Sequence, residues 1–154
     1  MSIPDRILRP IVEGPDAEGF RHIRYPGNGH NAGYGEILAR TEDERIARVR
    51  IATGERSSNV RGGLHGGFML SFLDQAIFVG PAVLGLIDVS SAVTLSLSSQ
   101  FMAAGVTDKP LDCLVEVVRE TGRLVFVRGI MEQGDGPIMS FDATLRKFSP
   151  RSEA

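Results

Sequence analysis

From Phe68 to Val79 the sequence FMLSFLDQAIFV is apolar at Phe68, Met69, Leu70, Phe72, Leu73, Ala76, Ile77, Phe78 and Val79. These positions fall on every side of a helix, and a helix that is apolar all round is buried all round. The stretch therefore predicts a core helix that starts near Gly66 and ends near Val79, where Gly80-Pro81 interrupts it, with Ala82 to Leu86 as a broken extension. On either side the period is two. From Tyr34, Ile37 and Ala39 alternate with polar neighbours as far as Thr41-Glu42-Asp43, and Arg48-Val49-Arg50-Ile51 alternates again, which predicts a hairpin with one wet face. After the helix, Val93, Leu95, Leu97 and Phe101 alternate with Thr94, Ser96, Ser98 and Gln100, a strand with one small-polar face. Leu111 to Glu120 and Arg123 to Glu132 meet at Thr121-Gly122, a link suited to a hairpin, and Gln133-Gly134-Asp135-Gly136 turns the chain into Ile138 to Phe148. The sum is two strands, a helix and four strands: an α+β domain over residues 34–149, with an antiparallel sheet wrapped around the helix. Residues 1–33 mix Pro, Gly and charge without sustained period and read as an N-terminal arm with at most a short helical turn. Residues 150–154 read as a polar tail.

Composition narrows the class. A length of 154 residues suits one domain. The net charge of −2, with basic residues spread along the chain, lacks the concentrated basic face that nucleic acid requires. The start MSIPDRILRP has no apolar core for a signal peptide, and the run from Phe68 to Val79 is too short and too acidic to span a bilayer. With a single cysteine, Cys113, no internal disulfide can form, and the expectation is a soluble cytoplasmic protein that needs neither a metal nor a cofactor. Cys113 alternates with Leu111 and Val115 as a core side chain. His22 and His30 lack ligand spacing to any carboxylate or cysteine and read as surface residues. Arg48 and Arg50 have the spacing of a strand's solvent face, which leaves Arg61, in the glycine-rich stretch, as the candidate cation for a phosphate-bearing ligand.

One carboxylate, Asp74, interrupts the apolar helix. Taking an ionised carboxylate out of water costs several kcal/mol, so it needs a partner or a task. The stretch that contains it, NVRGGLHGGFMLSFLD from Asn59 to Asp74, opens the helix with His65-Gly66-Gly67. This motif, with the order of elements over residues 34–148, resembles the hotdog-fold acyl-CoA thioesterases of the phenylacetate-pathway branch. The resemblance implies a hotdog fold and a site made of Asn59, His65, Gly66, Gly67 and Asp74, with Thr94 matching the strand hydroxyl that assists the carboxylate in some members. Two features depart from the pattern and leave the acyl group open. The usual Pro-containing strand end reads Phe101-Met102-Ala103-Ala104-Gly105, and the arm matches nothing in the family.

These residue types suit thioester hydrolysis. A thiolate leaving group, with a conjugate acid near pKa about 8.5, is expelled without a strong general acid. The step then needs a carboxylate, acting on water or attacking directly, and a donor for the carbonyl oxygen as it becomes an oxyanion. A free N–H at a helix start meets that need, which assigns Gly66 to the oxygen, Asp74 to base or nucleophile, and His65, Asn59 and Thr94 to orientation. Gly67 and Arg61 are assigned to substrate binding. Eight residues at about 1.5 Å each put Asp74 roughly 12 Å along the axis from Gly66, too far to share one carbonyl. The site is therefore expected between two subunits of a homodimer, or of a homotetramer built from dimers. The alternatives to an acyl-CoA hydrolase are a non-catalytic acyl-CoA binding module and a hotdog hydratase or dehydratase. Which acyl group is used, and whether CoA or an acyl carrier protein bears it, the residues leave open.

Overall fold

The period-two runs form strands and the apolar run forms a helix in the computed structural model of the chain, which describes residues 8–134 and 136–148. In chain order these are β1 (Ile11–Glu13), β2 (Arg21–Arg24), β3 (Glu36–Asp43), β4 (Ile46–Ile51), α1 (Gly66–Val83), β5 (Ala92–Phe101), β6 (Leu111–Glu120), β7 (Leu124–Gln133) and β8 (Gly136–Lys147). They build one antiparallel sheet in the order β1-β2-β3-β4-β6-β7-β8-β5, with α1 packed against β3, β4, β6 and β5. The expected α+β architecture, a sheet wrapped around one long helix, is what forms. The expected 150–154 tail lies outside the described residues.

Several local expectations change. The arm contains two strands as well as a short 3-10 turn at His30–Tyr34, and through them it extends the sheet past β3. Their signal was too weak to read, because β1 is three exposed residues and β2 buries only Ile23. The hairpin turns at Glu44-Arg45, so Thr41-Glu42-Asp43 belongs to β3. Glu42 is held in the strand by Arg40 (2.8 Å) and Arg48 (2.7 Å). The helix continues one turn past its expected end, with Pro81 inside it. Gly80 and Pro81 are buried there, and the close approach of helix to sheet compensates for the hydrogen bond that proline cannot donate. At 18 residues α1 is long and apolar enough to cross a membrane by length and composition, unlike the shorter stretch weighed from sequence, but half of it is buried within this fold.

The largest correction concerns how the helix is buried. Met69, Phe72, Leu73, Ala76, Ile77 and Val79 are sealed against Ile37, Val49, Val115 and Leu145 of the sheet. The opposite face is open in the single chain: Gly67 and Asp74 are exposed, and Leu70, Ser71 and Phe78 are half-buried. Sequence periodicity could not separate these faces because Leu70 and Phe78 are as apolar as the core residues.

On the far side of the sheet, Asp112, 8% exposed, accepts from Arg48 Nη1 (2.7 Å), Arg50 Nε (2.6 Å) and Arg50 Nη2 (2.9 Å). The guanidinium groups of Arg40 and Arg50 lie 4.5 and 5.0 Å from the ring centre of buried Phe20. The two strand arginines are thus committed to the fold. Cys113 is fully buried, and its thiol is pushed up by burial and by the charge of Asp112.

Two outcomes follow from this packing. A Cβ at Gly80 would lie 2.8 Å from Val115 Cβ. Gly80→Ala should therefore cost about 1–3 kcal/mol through overpacking, despite alanine's better helix propensity, and thermal melting should show a drop of about 2–4 °C per kcal/mol. An unchanged or raised melting temperature would contradict the close approach. For Asp112, burial works against the charge, but hydrogen bonds from Arg50 and Arg48 outweigh it and hold the carboxyl below its usual range. A folded-state pKa below the unfolded one stabilises above the unfolded value, and this contribution disappears as pH falls through the folded value. Urea titrations should show stability declining below about pH 4, and Asp112→Asn should make that decline shallower while lowering stability at neutral pH. An equally steep decline in the variant would remove Asp112 from the account.

Candidate active site

The loop that enters α1 is held by its own side chains. Asn59 Oδ1 accepts from the Arg61 and Gly63 amides (2.9 and 3.2 Å), Asn59 Nδ2 donates to the Leu64 carbonyl (3.2 Å), and the Asn59 amide donates to Gly63 O (2.8 Å). The loop is further fixed by bridges Ser58 to Leu64 and Gly63 to Val106. Both ends of the Asn59 amide are consumed in this turn, so its positioning acts on the loop. The tip presents Val60 and Arg61 to solvent, and the Arg61 guanidinium has no partner among the described residues.

At the loop's end His65 caps the helix. Its amide donates to Ser57 O (2.8 Å), and its ring Nδ1 accepts from the Gly67 amide (2.9 Å). A ring nitrogen that accepts carries no proton, so a neutral His65 holds its hydrogen on Nε2, directed away from the helix. Gly67 thereby spends its N–H on the cap. The Gly66 and Phe68 amides have no acceptor among the described residues, and Gly66 is the outermost of these free donors at the positive end of the helix. Beside it lies Phe101 at the end of β5, whose ring carbon would be 3.3 Å from a Cβ on Gly66. Glycine leaves that amide approachable.

Two turns further along, Thr94 Oγ1 donates to Asp74 Oδ1 (2.9 Å), linking the helix to β5. The second carboxylate oxygen has no partner among the described residues. Asp74 and Thr94 come together, and so do Asn59, Arg61, His65, Gly66 and Gly67, but within one chain eight helix residues, about 12 Å, keep the two groups apart.

The structure adds residues that the pattern did not single out. The Tyr34 hydroxyl donates to Ser71 O (2.8 Å) and meets Ser71 Oγ (2.5 Å), while His30 Nε2 lies 2.8 Å from the same Oγ and 3.1 Å from the Tyr34 hydroxyl. Ser71 sits one helical turn before Asp74. Burial, together with the Asp74 charge, raises Tyr34 against the lowering effect of its Ser71 bond. His30, read as a plain surface residue, therefore pins the arm's 3-10 turn to the helix face that carries Asp74. A serine at i−3 from the carboxylate was the available signal, but nothing in sequence connected it to residue 30. His22 stays apart, between Asp16 and Glu36 (2.9 and 3.0 Å).

The cavity touching Asp74 is about 270 Å³ and is walled by Tyr25, Gln75, Phe78, Val89 and Ala92. Larger concavities, about 580 and 680 Å³, open at the far end of α1 and over the outer side of β3 and do not reach the carboxylate.

Comparison with known proteins adds the following. A family model described as acyl-CoA thioesterase N-terminal domain matches residues 53–146, more than half of the chain. No curated protein matches. Among solved structures, the PaaI protein of the phenylacetic acid degradation operon of E. coli superposes with a TM-score of 0.63 at 17% identity, covering 76% of this chain and 82% of that one. A hypothetical thioesterase from Streptococcus pneumoniae, solved with coenzyme A, gives 0.62 at 23% identity over 74% and 88%. Zebra fish thioesterase superfamily member 2 gives 0.66 at 14% identity over 79% and 88%. At these identities the structural likeness shows the fold, which is the hotdog fold.

Proposed function

Because the chain belongs to the acyl-CoA thioesterase family and is a thioester hydrolase, we propose that it cleaves an acyl-CoA to the free acid and coenzyme A at sites shared between two copies. The observation that carries the reading is Asp74: a carboxylate on the open helix face, tethered at one oxygen by Thr94 and unobstructed at the other. The free oxygen either takes the proton from an attacking water or attacks the thioester carbon itself. In both routes the C–S bond breaks, the electron pair leaves with sulfur, and the thiolate collects a proton from solvent; in the second, water then cleaves the mixed anhydride, releasing the acid and restoring the Asp74 carboxylate. The unpartnered Gly66 amide of the other copy receives the carbonyl oxygen as negative charge builds on it, aided by the helix dipole. His65 holds that helix start in shape by capping it, and Asn59 does so by closing the loop before it. The coenzyme A in the Streptococcus pneumoniae thioesterase supports CoA as the carrier here, with Arg61 at the loop tip as a cation for its phosphates and Gly67 beside the entering thioester.

A second copy is supported by β5. It is the last strand at its side of the sheet, ten residues long, with no charged residue or proline, and Val93, Leu95 and Phe101 are 39%, 55% and 47% exposed. An edge of that length without protective charges is suited to pairing with another strand. Twofold pairing through β5 brings the open helix faces together and sets Gly66 of one copy toward Asp74 of the other.

Release of thiol from a panel of acyl-CoA thioesters tests the reaction. Asp74→Asn should lower kcat/KM by about 10²–10⁴-fold with its urea midpoint near that of the wild type, and full activity in this variant would sink the assignment. Sedimentation at assay concentrations should give a dimer or a multiple of one, whereas a fully active monomer would rule out a shared site.

A further inference from the structure

The wall of the Asp74 cavity contains an incompletely used polar pair. Gln75 is 9% exposed, and its Nε2 donates to the Tyr25 hydroxyl at 2.6 Å. That is the only hydrogen bond of either side chain among the described residues. Gln75 Oε1 therefore accepts from nothing, and the Tyr25 proton has no acceptor. No buried side-chain polar atom among the described residues is both sealed and unpartnered, so Oε1 keeps contact with the cavity that Gln75 lines. Turning the amide over would give the Tyr25 proton to Oε1 and leave an N–H in the cavity instead. Either way a hydrogen-bonding valence faces the cavity, met by water until a bound group displaces it, and an apolar group that does so leaves it unmet. Burial and the neighbouring Tyr34 push the Tyr25 phenol up to about 12, so it is a protonated donor at neutral pH.

Size and lining restrict what can meet that valence. The cavity, about 270 Å³, falls below the range of about 300–1,000 Å³ that takes drug-sized ligands, which suits an acyl group of a few carbons. Phe78, Val89 and Ala92 supply apolar contact for its carbons; Asn31 and Ser90 also line the cavity, and of its polar residues Gln75 and Tyr25 form the pair that offers both a donor and an acceptor. A hydroxyl can answer either, whichever way the amide is turned.

We infer that the cavity beside Asp74 selects a short acyl group carrying a hydroxyl, with Gln75 and Tyr25 as the residues that read it. The inference rests on the thioesterase reading above and names the substrate class of that same site. It also assigns a role to the N-terminal arm, since Tyr25 follows directly on β2.

Thiol release by the full chain should be compared for 3-hydroxybutyryl-CoA, butyryl-CoA and hexadecanoyl-CoA. The wild type should favour the hydroxylated thioester over butyryl-CoA in kcat/KM by about tenfold or more, because one substrate satisfies the buried pair and the other leaves it unmet. In Gln75→Leu and in Tyr25→Phe that ratio should fall to near one. If Gln75→Leu does not fold, Tyr25→Phe, which keeps the ring, gives the answer, and the wild-type ratio stands on its own. Equal wild-type values, a ratio that survives Tyr25→Phe, or highest kcat/KM with hexadecanoyl-CoA would overturn the inference while leaving the hydrolase reading intact. Release of thiol from none of the three, nor from the wider panel, would overturn both.

Discussion

Everything in this fold follows from how closely α1 lies on the sheet. The helix approaches β6 until Gly80 has no room for a methyl group beside Val115, and Phe72, Leu73, Ala76 and Ile77 are sealed beneath it. At roughly 25 cal/mol per Å² of apolar surface removed from water, this layer is the main source of stability. It also fixes the rotation of the helix about its own axis. Once four core positions are committed to the sheet, the direction of Asp74 is determined, and so is the bareness of the face that carries it.

A different set of forces governs the helix start. There the chain makes a tight loop in which almost every polar group is used: Asn59 closes it, Ser57 receives the His65 amide, and the His65 ring takes the Gly67 amide. The economy of this network leaves the Gly66 and Phe68 amides as the available donors. A free amide is left by satisfying its neighbours, much as a free carboxylate oxygen is left by tethering the other one to Thr94.

How far the sequence could be read depended on whether an element's reason for existing was local. β6 and the core of α1 declare themselves by period and apolarity, and the glycine-flanked His65 with Asp74 nine residues on marks the candidate site by spacing. The loop role of Asn59 was not accessible, because it depends on which way an amide faces. β1 and β2 gave no signal: they are short, carry Arg21, His22 and Arg24, and exist because β3 offers them an edge. The same applies to His30, Tyr34 and Ser71, whose meeting is set by the path of the arm over the helix. The open helix face was hidden by its own composition, since Leu70 and Phe78 read as core until the fold shows which side the sheet occupies.

The position of Cys113 has a chemical consequence for a protein whose reaction liberates thiols. Small thiols oxidise, and their disulfides capture protein cysteines through attack by a thiolate. Cys113 is sealed within β6, and its ionisation is suppressed by burial and by the charge on Asp112. It can neither reach such a partner nor supply the nucleophile. The only sulfhydryl in the chain is thereby kept out of mixed disulfides with the thiol product, and turnover does not derivatise the catalyst.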